Sequence, residues 1–358
     1  MAAKHDPAVS TSARRYVVAG YVLLIVYASL SPFTGWRDQG FTFADVLTAP
    51  LSLTYNAMDA WVNVVAYIPF GMLAALTLLP RLRARWSISV TLAAGMALSA
   101  AMEFLQMYLP TRTSSNLDIL TNSAGTLAGA LLALRIAPTP WFAGLTDWRR
   151  ARIRRGPGAD FGLALVALWM FVQVNPSLPM LGNIFISETA RAPFQPPAAE
   201  PFNWLGASAA ALNLLMLGCL YLTLLRRRRH VLTAVVLSMS LVALGKFVAA
   251  ALLFNSWALL LWLNGESMLG GVVGLVLLAG ATRLPTRMVS VCAAAAALAY
   301  LVEDMLQGGV PPGVAHLYHG PEGHFTTYNG LSHLILLLFP LLLLGYLWRA
   351  RKWPRLPV

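Results

Sequence analysis

The sequence predicts an all-α protein, a polytopic transmembrane bundle of about ten helices with its N- and C-termini in the cytoplasm. Hydrophobic residues make up 58% of the 358-residue chain and charged residues only 11%, whereas roughly a quarter of a soluble protein is charged. Apolar runs of about 20 residues, the length that crosses a hydrocarbon core about 30 Å thick, recur along the whole chain. The loops between these runs alternate in basic charge, which indicates one orientation in the membrane.

The apolar runs give the predicted spans in chain order. They cover residues 15–33, 60–80, 87–109, 115–136, 160–180, 205–225, 231–254, 256–281, 287–307 and 329–348. With the N terminus inside, most of the 26 Lys and Arg residues fall on the cytoplasmic side, as the positive-inside rule requires. The first run follows Arg14 and Arg15 and includes small residues, so a cleaved or twin-arginine signal is the alternative to a retained first helix.

The spans group into blocks. Residues 15–136 hold four spans, and residues 137–159, rich in Pro, Gly and Arg, are predicted to be a basic cytoplasmic linker. Residues 160–281 are predicted to form a degenerate second four-helix block, and residues 287–349 a C-terminal helix pair with a histidine-containing outer loop. Three features of the first block recur in the second. Asn63 corresponds to Asn213, Pro32 to Pro176, and the pair Gly125 and Gly129 to the pair Gly270 and Gly274.

The acidic residues do not follow this repeat. Glu103 falls opposite Lys246 or nearby apolar residues of the second block. Near the end of the ninth span, however, Asp304 and Gln307 have the spacing of Glu103 and Gln106. The final helix pair is therefore interpreted as a further partial copy.

The formal net charge of +12 first suggests nucleic acid as a partner, but the charge distribution indicates otherwise. Because the basic residues lie on one side of the predicted membrane, they report topology and contact with anionic lipids. The sequence predicts no nucleic-acid partner, no cofactor and no metal. Cys219 and Cys292 both lie in apolar runs, where small core residues are expected rather than a disulfide or a metal pair.

Seven polar residues of the first block are predicted to lie at one depth, near the extracytoplasmic interface. The third span rises from the cytoplasm, and the second and fourth descend from outside, so their outer ends meet at this level. The set consists of Asp59, Asn63, Glu103, Gln106, Arg112, Asp118 and Asn122. This convergence is more specific than any one of the residues.

Several of these residues also have a purely structural interpretation. Asn63 and Asn122 fit hydrogen bonds between helices, worth about 0.6–2 kcal/mol each. Asp59 and Asp118 fit solvated helix N-caps, where the helix dipole favours carboxylates. The sequence leaves both interpretations open.

Two further features of the same block lead to different predictions, one structural and one functional. Gly125 and Gly129 form a small-xxx-small pair, and they are predicted to let helices pack closely. Glu103 is harder to explain structurally, because a carboxylate in the apolar band is unfavourable unless it is protonated or paired. A functional role is therefore predicted for Glu103.

The outer loop before the last span is rich in histidine. It contains four of the six histidines, namely His316, His319, His324 and His333. Carboxylates nearby make a transition-metal site the alternative interpretation. No standard ligand spacing such as HExxH is present, so solvated loop histidines are predicted.

The polar positions of residues 15–136 resemble the VanZ-like membrane domain. The resemblance rests on "NVVAYIPFG" from Asn63, on "EFLQMYLPTR" from Glu103 and on "LDILTNSAGTLAG" from Leu117. It implies a bacterial inner-membrane protein of the cell envelope, from a family named for a teicoplanin-resistance accessory gene. The family pattern carries over to Asp59, Asn63, Glu103, Gln106, Arg112, Asp118, Asn122, Gly125 and Gly129.

Three functions remain open from the sequence. The first is an extracytoplasmic pocket that binds an anionic envelope lipid or a lipid-linked precursor, with an Arg holding the anion. The second is a membrane-embedded hydrolase or transferase with a Glu–Asp acid–base pair, and the third is a structural or scaffold role. The predicted ligand-binding residues are Arg112, Gln106, Asn63, Asn122 and Asp59, and the predicted acid–base pair is Glu103 and Asp118.

Overall fold

The structure is a computed structural model, and it describes residues 8–51, 57–154, 158–186, 202–307 and 323–350. Within these ranges the protein is all-helical, as predicted, and has no strand. The chain divides into two compact units, residues 1–151 and residues 152–358.

Six helices form the described part of the first unit. They are α1 (Ala8–Leu30), α2 (Phe43–Thr48), α3 (Ala57–Leu78), α4 (Ala84–Gln106), α5 (Asn116–Ile136) and α6 (Pro140–Arg152). Two of them were not predicted: α2, and α6, which occupies much of the segment interpreted as a linker. α5 begins where the Ser115 side chain accepts a hydrogen bond from the Leu117 N–H, which satisfies one of the free donors of its first turn.

Six α-helices form the described part of the second unit. They are α7 (Ala159–Gln173), α8 (Trp204–Leu224), α9 (Val231–Leu253), α10 (Gly265–Ala281), α11 (Thr286–Gln307) and α12 (Gly323–Ala350). The predicted C-terminal helix pair belongs to this unit, because α11 packs on α8 and α12 on α7.

Seven helices in the described ranges are long and apolar enough to cross a membrane: α3, α4, α5, α8, α11, the segment from Arg228 to Leu253 that contains α9, and most of α12. α7 and α10 are apolar but shorter. The predicted fifth span, 160–180, ends early at Gln173, because Pro176 and Pro179 cannot continue a helix. The number of spans and the orientation of the termini stay predictions.

The first unit is centred on a close contact between α3 and α5. A Cβ atom at Gly125 would lie 2.2 Å from the Val64 carbonyl oxygen, and one at Gly129 would lie 2.0 Å from that of Ile68. The two backbones therefore touch at these glycines, and only hydrogen side chains fit there. α1 and α4 pack beside this pair, with a buried core that includes Tyr67 and Met102.

The second unit is centred on α8, which is buried along nearly its whole length. α10 packs on α8 through Gly270 and Gly274, where Cβ atoms would lie 2.3 Å from the Ala207 and 3.0 Å from the Ala211 carbonyl oxygens. α3–α5 and α8–α10 are therefore paired in the same way. Asn213 lies nearly two turns beyond Ala207, so it does not occupy the place that Asn63 has beside Val64.

Candidate functional site

Glu103 connects the end of α4 to the start of α5. Its side chain is only 3% exposed, and its Oε2 accepts a hydrogen bond of 2.7 Å from the Ser115 N–H. The Ser114 hydroxyl donates to the Glu103 carbonyl oxygen at 2.8 Å. The carboxylate is thus held at the N-terminus of α5, where the helix dipole favours a negative charge.

A second carboxylate and a phenol lie beside Glu103. Asp118, in the first turn of α5, is within electrostatic range of Glu103. The buried Tyr67 of α3 is hydrogen-bonded to Ser99 and is within range of both carboxylates. Three helices therefore contribute to one polar cluster, and it contains the predicted Glu103–Asp118 pair.

Two amide side chains of this cluster each have one satisfied end and one unsatisfied end. Asn122 donates to the Ser99 hydroxyl at 2.9 Å, and Gln106 donates to the Ser29 carbonyl oxygen at 2.9 Å. The Asn122 Oδ1 and the Gln106 Oε1 are buried without a hydrogen-bond partner. Since buried acceptors are normally satisfied, these two oxygens mark places where a donor group would be stabilised.

Arg112 contacts the end of α1. Its Nε and one terminal nitrogen donate to the Ser31 carbonyl oxygen at 3.0 and 2.8 Å, and that same nitrogen donates to the Ala28 carbonyl oxygen at 3.1 Å. Burial lowers the pKa of the Arg112 guanidinium from its usual value, yet the group stays cationic at neutral pH. Arg112 therefore places a positive charge at the end of α1, which the Gln106 amide also contacts, and it organises the chain around Pro32.

Two predicted residues of α3 remain, Asn63 and Asp59. Asn63 is half-exposed and makes no side-chain hydrogen bond within the described part of the chain. The backbone of Asp59 belongs to α3, but its side chain lies outside the described residues. Among the described side chains, the cluster is thus formed by α4, α5 and their connecting loop, together with Tyr67 of α3.

The segment between α1 and α3 contacts the end of α4 beside this cluster, and only a short capping signal in the sequence indicates a helix there. The Arg37 N–H donates to the Tyr108 carbonyl oxygen at 2.8 Å, and the Gln39 amide donates to that of Met107 at 2.8 Å. Thr42 and Asp45 form a capping box at the start of α2, and this spacing is a readable helix signal. The segment also exposes several large apolar side chains, Phe33, Trp36, Phe41, Leu47 and Leu51, as chains at a membrane interface do.

An apolar groove of about 500 Å³ runs along α4 and α5. Leu92 and Met96 line one side, and Ile119 and Leu127 line the other. Its polar end is Asn116, whose amide donates to the Ala49 carbonyl oxygen at 2.6 Å. Because Asn116 directly follows Ser115, the groove ends beside the residue that holds Glu103.

Within the described residues, no group of three or more His, Cys, Asp or Glu side chains is placed to hold a metal ion. His316 and His319 lie outside the described residues, as does the side chain of His324. Cys219 and Cys292 are both free thiols.

The fold and the composition together define a multi-pass membrane protein. Its first unit is identified further by sequence comparison, because residues 4–137 match the family described as VanZ/LLP1. The match confirms the VanZ-like resemblance and spans the entire polar cluster and the groove. No curated protein and no solved structure matches the chain.

Proposed function

We propose that the VanZ-like unit binds an anionic lipid or a lipid-linked precursor of the bacterial cell envelope from the outer side of the inner membrane. The observation that carries the proposal is the position of the groove. An apolar channel between two membrane helices ends at a buried polar cluster, joined to it by Asn116, Ser115 and Glu103. A lipid has the same division into an apolar chain and a polar head.

The groove suits an acyl chain. Its volume of about 500 Å³ is in the range of small-molecule sites, roughly 300–1,000 Å³. Its walls are Leu, Ile, Met and Ala side chains of α4 and α5, with Leu47 of α2 at one end. Lipid is the solvent around such helices, so an acyl chain is the occupant that we propose.

The cluster suits a headgroup that carries both a negative charge and hydroxyl groups. Arg112 supplies the positive charge, and phosphate is a preferred partner of guanidinium. The unpartnered oxygens of Gln106 and Asn122 are acceptors, and buried acceptors are normally satisfied by donors. A glycerol or sugar phosphate provides these donors, and a simple phosphate ester does not.

Two alternatives follow from specific contacts. The closeness of Glu103 and Asp118 favours a hydrolase or transferase in which one carboxylate acts as acid and the other as base. The bonds of Glu103 and Arg112 to backbone groups favour a structural role. The proposed link to glycopeptide tolerance, teicoplanin in particular, rests on the family resemblance.

The groove can be tested with a matched pair of variants. Ala124 lines the groove and is exposed, and Ala128, one turn along the same helix, is exposed but outside it. We expect phosphatidylglycerol to raise the melting temperature of wild type and Ala128→Phe in detergent, and to leave Ala124→Phe unchanged. Equal lipid responses from both variants would contradict the acyl-chain assignment.

The headgroup site is tested by Glu103→Gln, which keeps the shape of the side chain and an acceptor for the Ser115 N–H. We expect Glu103→Gln to melt close to wild type and to lose selectivity for phosphatidylglycerol over phosphatidylcholine. A large loss of melting temperature with an unchanged lipid response would favour the structural alternative. Turnover of a labelled envelope lipid by wild type, absent in Glu103→Gln, would favour the enzyme.

A further inference from the structure

The last turns of α11 in the second unit carry two adjacent carboxylates, Glu303 and Asp304. They lie at one end of a candidate membrane span, and Arg283 and Arg287 lie at the other. Within the described ranges neither carboxylate forms an ion pair. Two negative charges at the end of an apolar helix therefore have no neutralising partner among the residues that the structure describes, which is unfavourable next to hydrocarbon.

Neutral polar side chains from three different elements lie beside these carboxylates. The Ser208 hydroxyl of α8 donates to the Glu303 Oε1 at 2.8 Å. The Asn183 amide, from the segment that follows α7, approaches the Asp304 Oδ1 at 3.4 Å, which is a long and weak contact. Tyr300 lies on the same face of α11, one turn before both carboxylates, and within electrostatic range of them.

Three oxygens of this group are buried with no hydrogen-bond partner. They are the Asn183 Oδ1, the Tyr300 hydroxyl and the Glu303 Oε2. Asn183 is 4% exposed and Tyr300 is 1% exposed, so water does not satisfy them freely. Unpartnered buried oxygens that surround an uncompensated negative charge have the composition of a cation site.

We infer that Asn183, Tyr300, Glu303 and Asp304 bind a hard inorganic cation, and that Ca²⁺ is the best match. All the donors are oxygens, which suit Ca²⁺, Mg²⁺ or Na⁺ rather than the softer transition metals. Two carboxylates neutralise one divalent ion, and water completes the six to eight oxygens that Ca²⁺ takes. The site lies in the second unit and does not depend on the function proposed for the first.

The structure also explains why this site has a defined shape. Asn183 belongs to a non-helical segment, residues 174–186, that is buried and held by side chains from several helices. The Leu181 N–H donates to the Gln173 Oε1 at 2.9 Å, and the Leu181 carbonyl oxygen accepts from Asn213 at 2.9 Å. These contacts fix the chain only two residues before Asn183.

The test uses the full chain purified in detergent and measures its melting temperature with CaCl₂, MgCl₂ or NaCl at equal ionic strength. A ligand that binds only the folded protein raises the melting temperature in a saturable way. We expect a saturable rise with CaCl₂ at millimolar concentrations, a smaller one with MgCl₂, and none in the double variant Glu303→Gln, Asp304→Asn. A saturable rise with NaCl alone, lost in that variant, still supports a hard-cation site.

The control is Glu266→Gln, which removes one carboxylate at the start of α10 in the same unit. This variant should keep the full response to CaCl₂. Without added cation, the double variant should melt at or above wild type, because it removes the repulsion between unneutralised charges. No saturable rise in wild type, an unchanged rise in the double variant, or an equal loss in Glu266→Gln would each overturn the inference.

A variant that keeps the carboxylates of Glu303 and Asp304 tests whether the cation is coordinated at this place or only attracted by the negative charge. Asn183→Leu keeps the size of the side chain and removes the amide oxygen. We expect the CaCl₂ concentration needed for half of the rise to increase several-fold. An unchanged midpoint would show that the ion is not held at this place, and would also overturn the inference.

Discussion

The two units contain the same kind of contact in two different environments: a basic side chain donates to a carbonyl oxygen that precedes a proline. In the first, Arg112 donates to the Ser31 carbonyl oxygen, just before Pro32. In the second, Lys246 donates to the carbonyl oxygen of Asn175, just before Pro176, at 2.6 Å, and to that of Leu178 at 2.7 Å. In both cases a cation from a later part of the chain holds a carbonyl group that precedes a proline.

The difference between the two is access to water. Arg112 is half-buried at the end of the unit, whereas Lys246 is fully buried in the middle of α9. Non-helical backbone at membrane depth has to be satisfied by protein, and Lys246 does this for two carbonyl groups of the segment 174–186. The comparison suggests that the Lys246 site is a fixed structural element, and that the Arg112 site is open enough to serve a ligand as well.

The comparison is tested most severely at Lys246. Lys246→Met keeps much of the side-chain length and leaves the buried Leu178 carbonyl oxygen without a donor, which costs roughly 1–3 kcal/mol. The Asn175 carbonyl oxygen then keeps only a long hydrogen bond of 3.3 Å from the Leu178 N–H. We expect a large drop in melting temperature in detergent, or loss of the folded peak in gel filtration. A variant that melts like wild type would show that the Lys246 contacts are not structural.

The glycine contacts allow the helix pairs of the two units to be compared directly. Gly129→Ala would place a Cβ atom 2.0 Å from the Ile68 carbonyl oxygen, whereas Gly274→Ala would place one 3.0 Å from that of Ala211. Overpacking of this kind costs typically about 1–3 kcal/mol. We expect Gly129→Ala to lower the melting temperature clearly more than Gly274→Ala, and equal losses would contradict the difference in spacing.

Arg112 should be less critical for folding than Lys246. In Arg112→Gln, water can reach part of the site, so the loss should be about 1 kcal/mol, the net value of a typical hydrogen bond. Melting curves of Arg112→Gln and Lys246→Met under the same conditions measure the difference. If Arg112→Gln lowers the melting temperature more than Lys246→Met, the Arg112 site is the structural one, and this comparison of the two sites is wrong.

The smallest effect is expected at α2, for which the described part of the second unit has no counterpart. The Thr42 backbone and side-chain hydrogen bonds lower the pKa of the Asp45 carboxyl. This contribution to the stability of α2 is present above the usual pKa of an Asp, roughly 4, and is lost as the pH falls through the lowered value. Asp45→Asn should speed hydrogen exchange in α2 at neutral pH and leave the global melting temperature unchanged.

The helices were largely predictable, because apolar runs and basic loops act through length and charge alone. The failures were local. The short helix α2 depends on a capping box, and the early end of α7 at Gln173 depends on prolines that an apolar count ignores. Hydropathy could not show that residues 174–180 leave the helix and stay buried, since Val174, Leu178 and Met180 continue the apolar run of the span.

The site was predictable to the level of a cluster, because polar residues in apolar helices stand out. Its hydrogen bonds were not. From the sequence, Arg112 is predicted to bind an anion. Only the structure shows that its guanidinium also donates to the Ser31 carbonyl oxygen. The spacing of Asp304 and Gln307 indicates a partial repeat, and helix periodicity places Tyr300 beside Asp304. Asn183 is more than a hundred residues away in the sequence, and only the fold brings it to Asp304.

The contact between α3 and α5 also has a consequence for biosynthesis. α3 is synthesised before α4 and α5, and the carbonyl groups of Val64 and Ile68 meet Gly125 and Gly129 only when α5 has emerged. The first unit therefore cannot assemble turn by turn as each helix enters the membrane. A nascent chain arrested before residue 129 would hold α3 without its partner, whereas one extended beyond residue 136 carries every helix that the pairing needs.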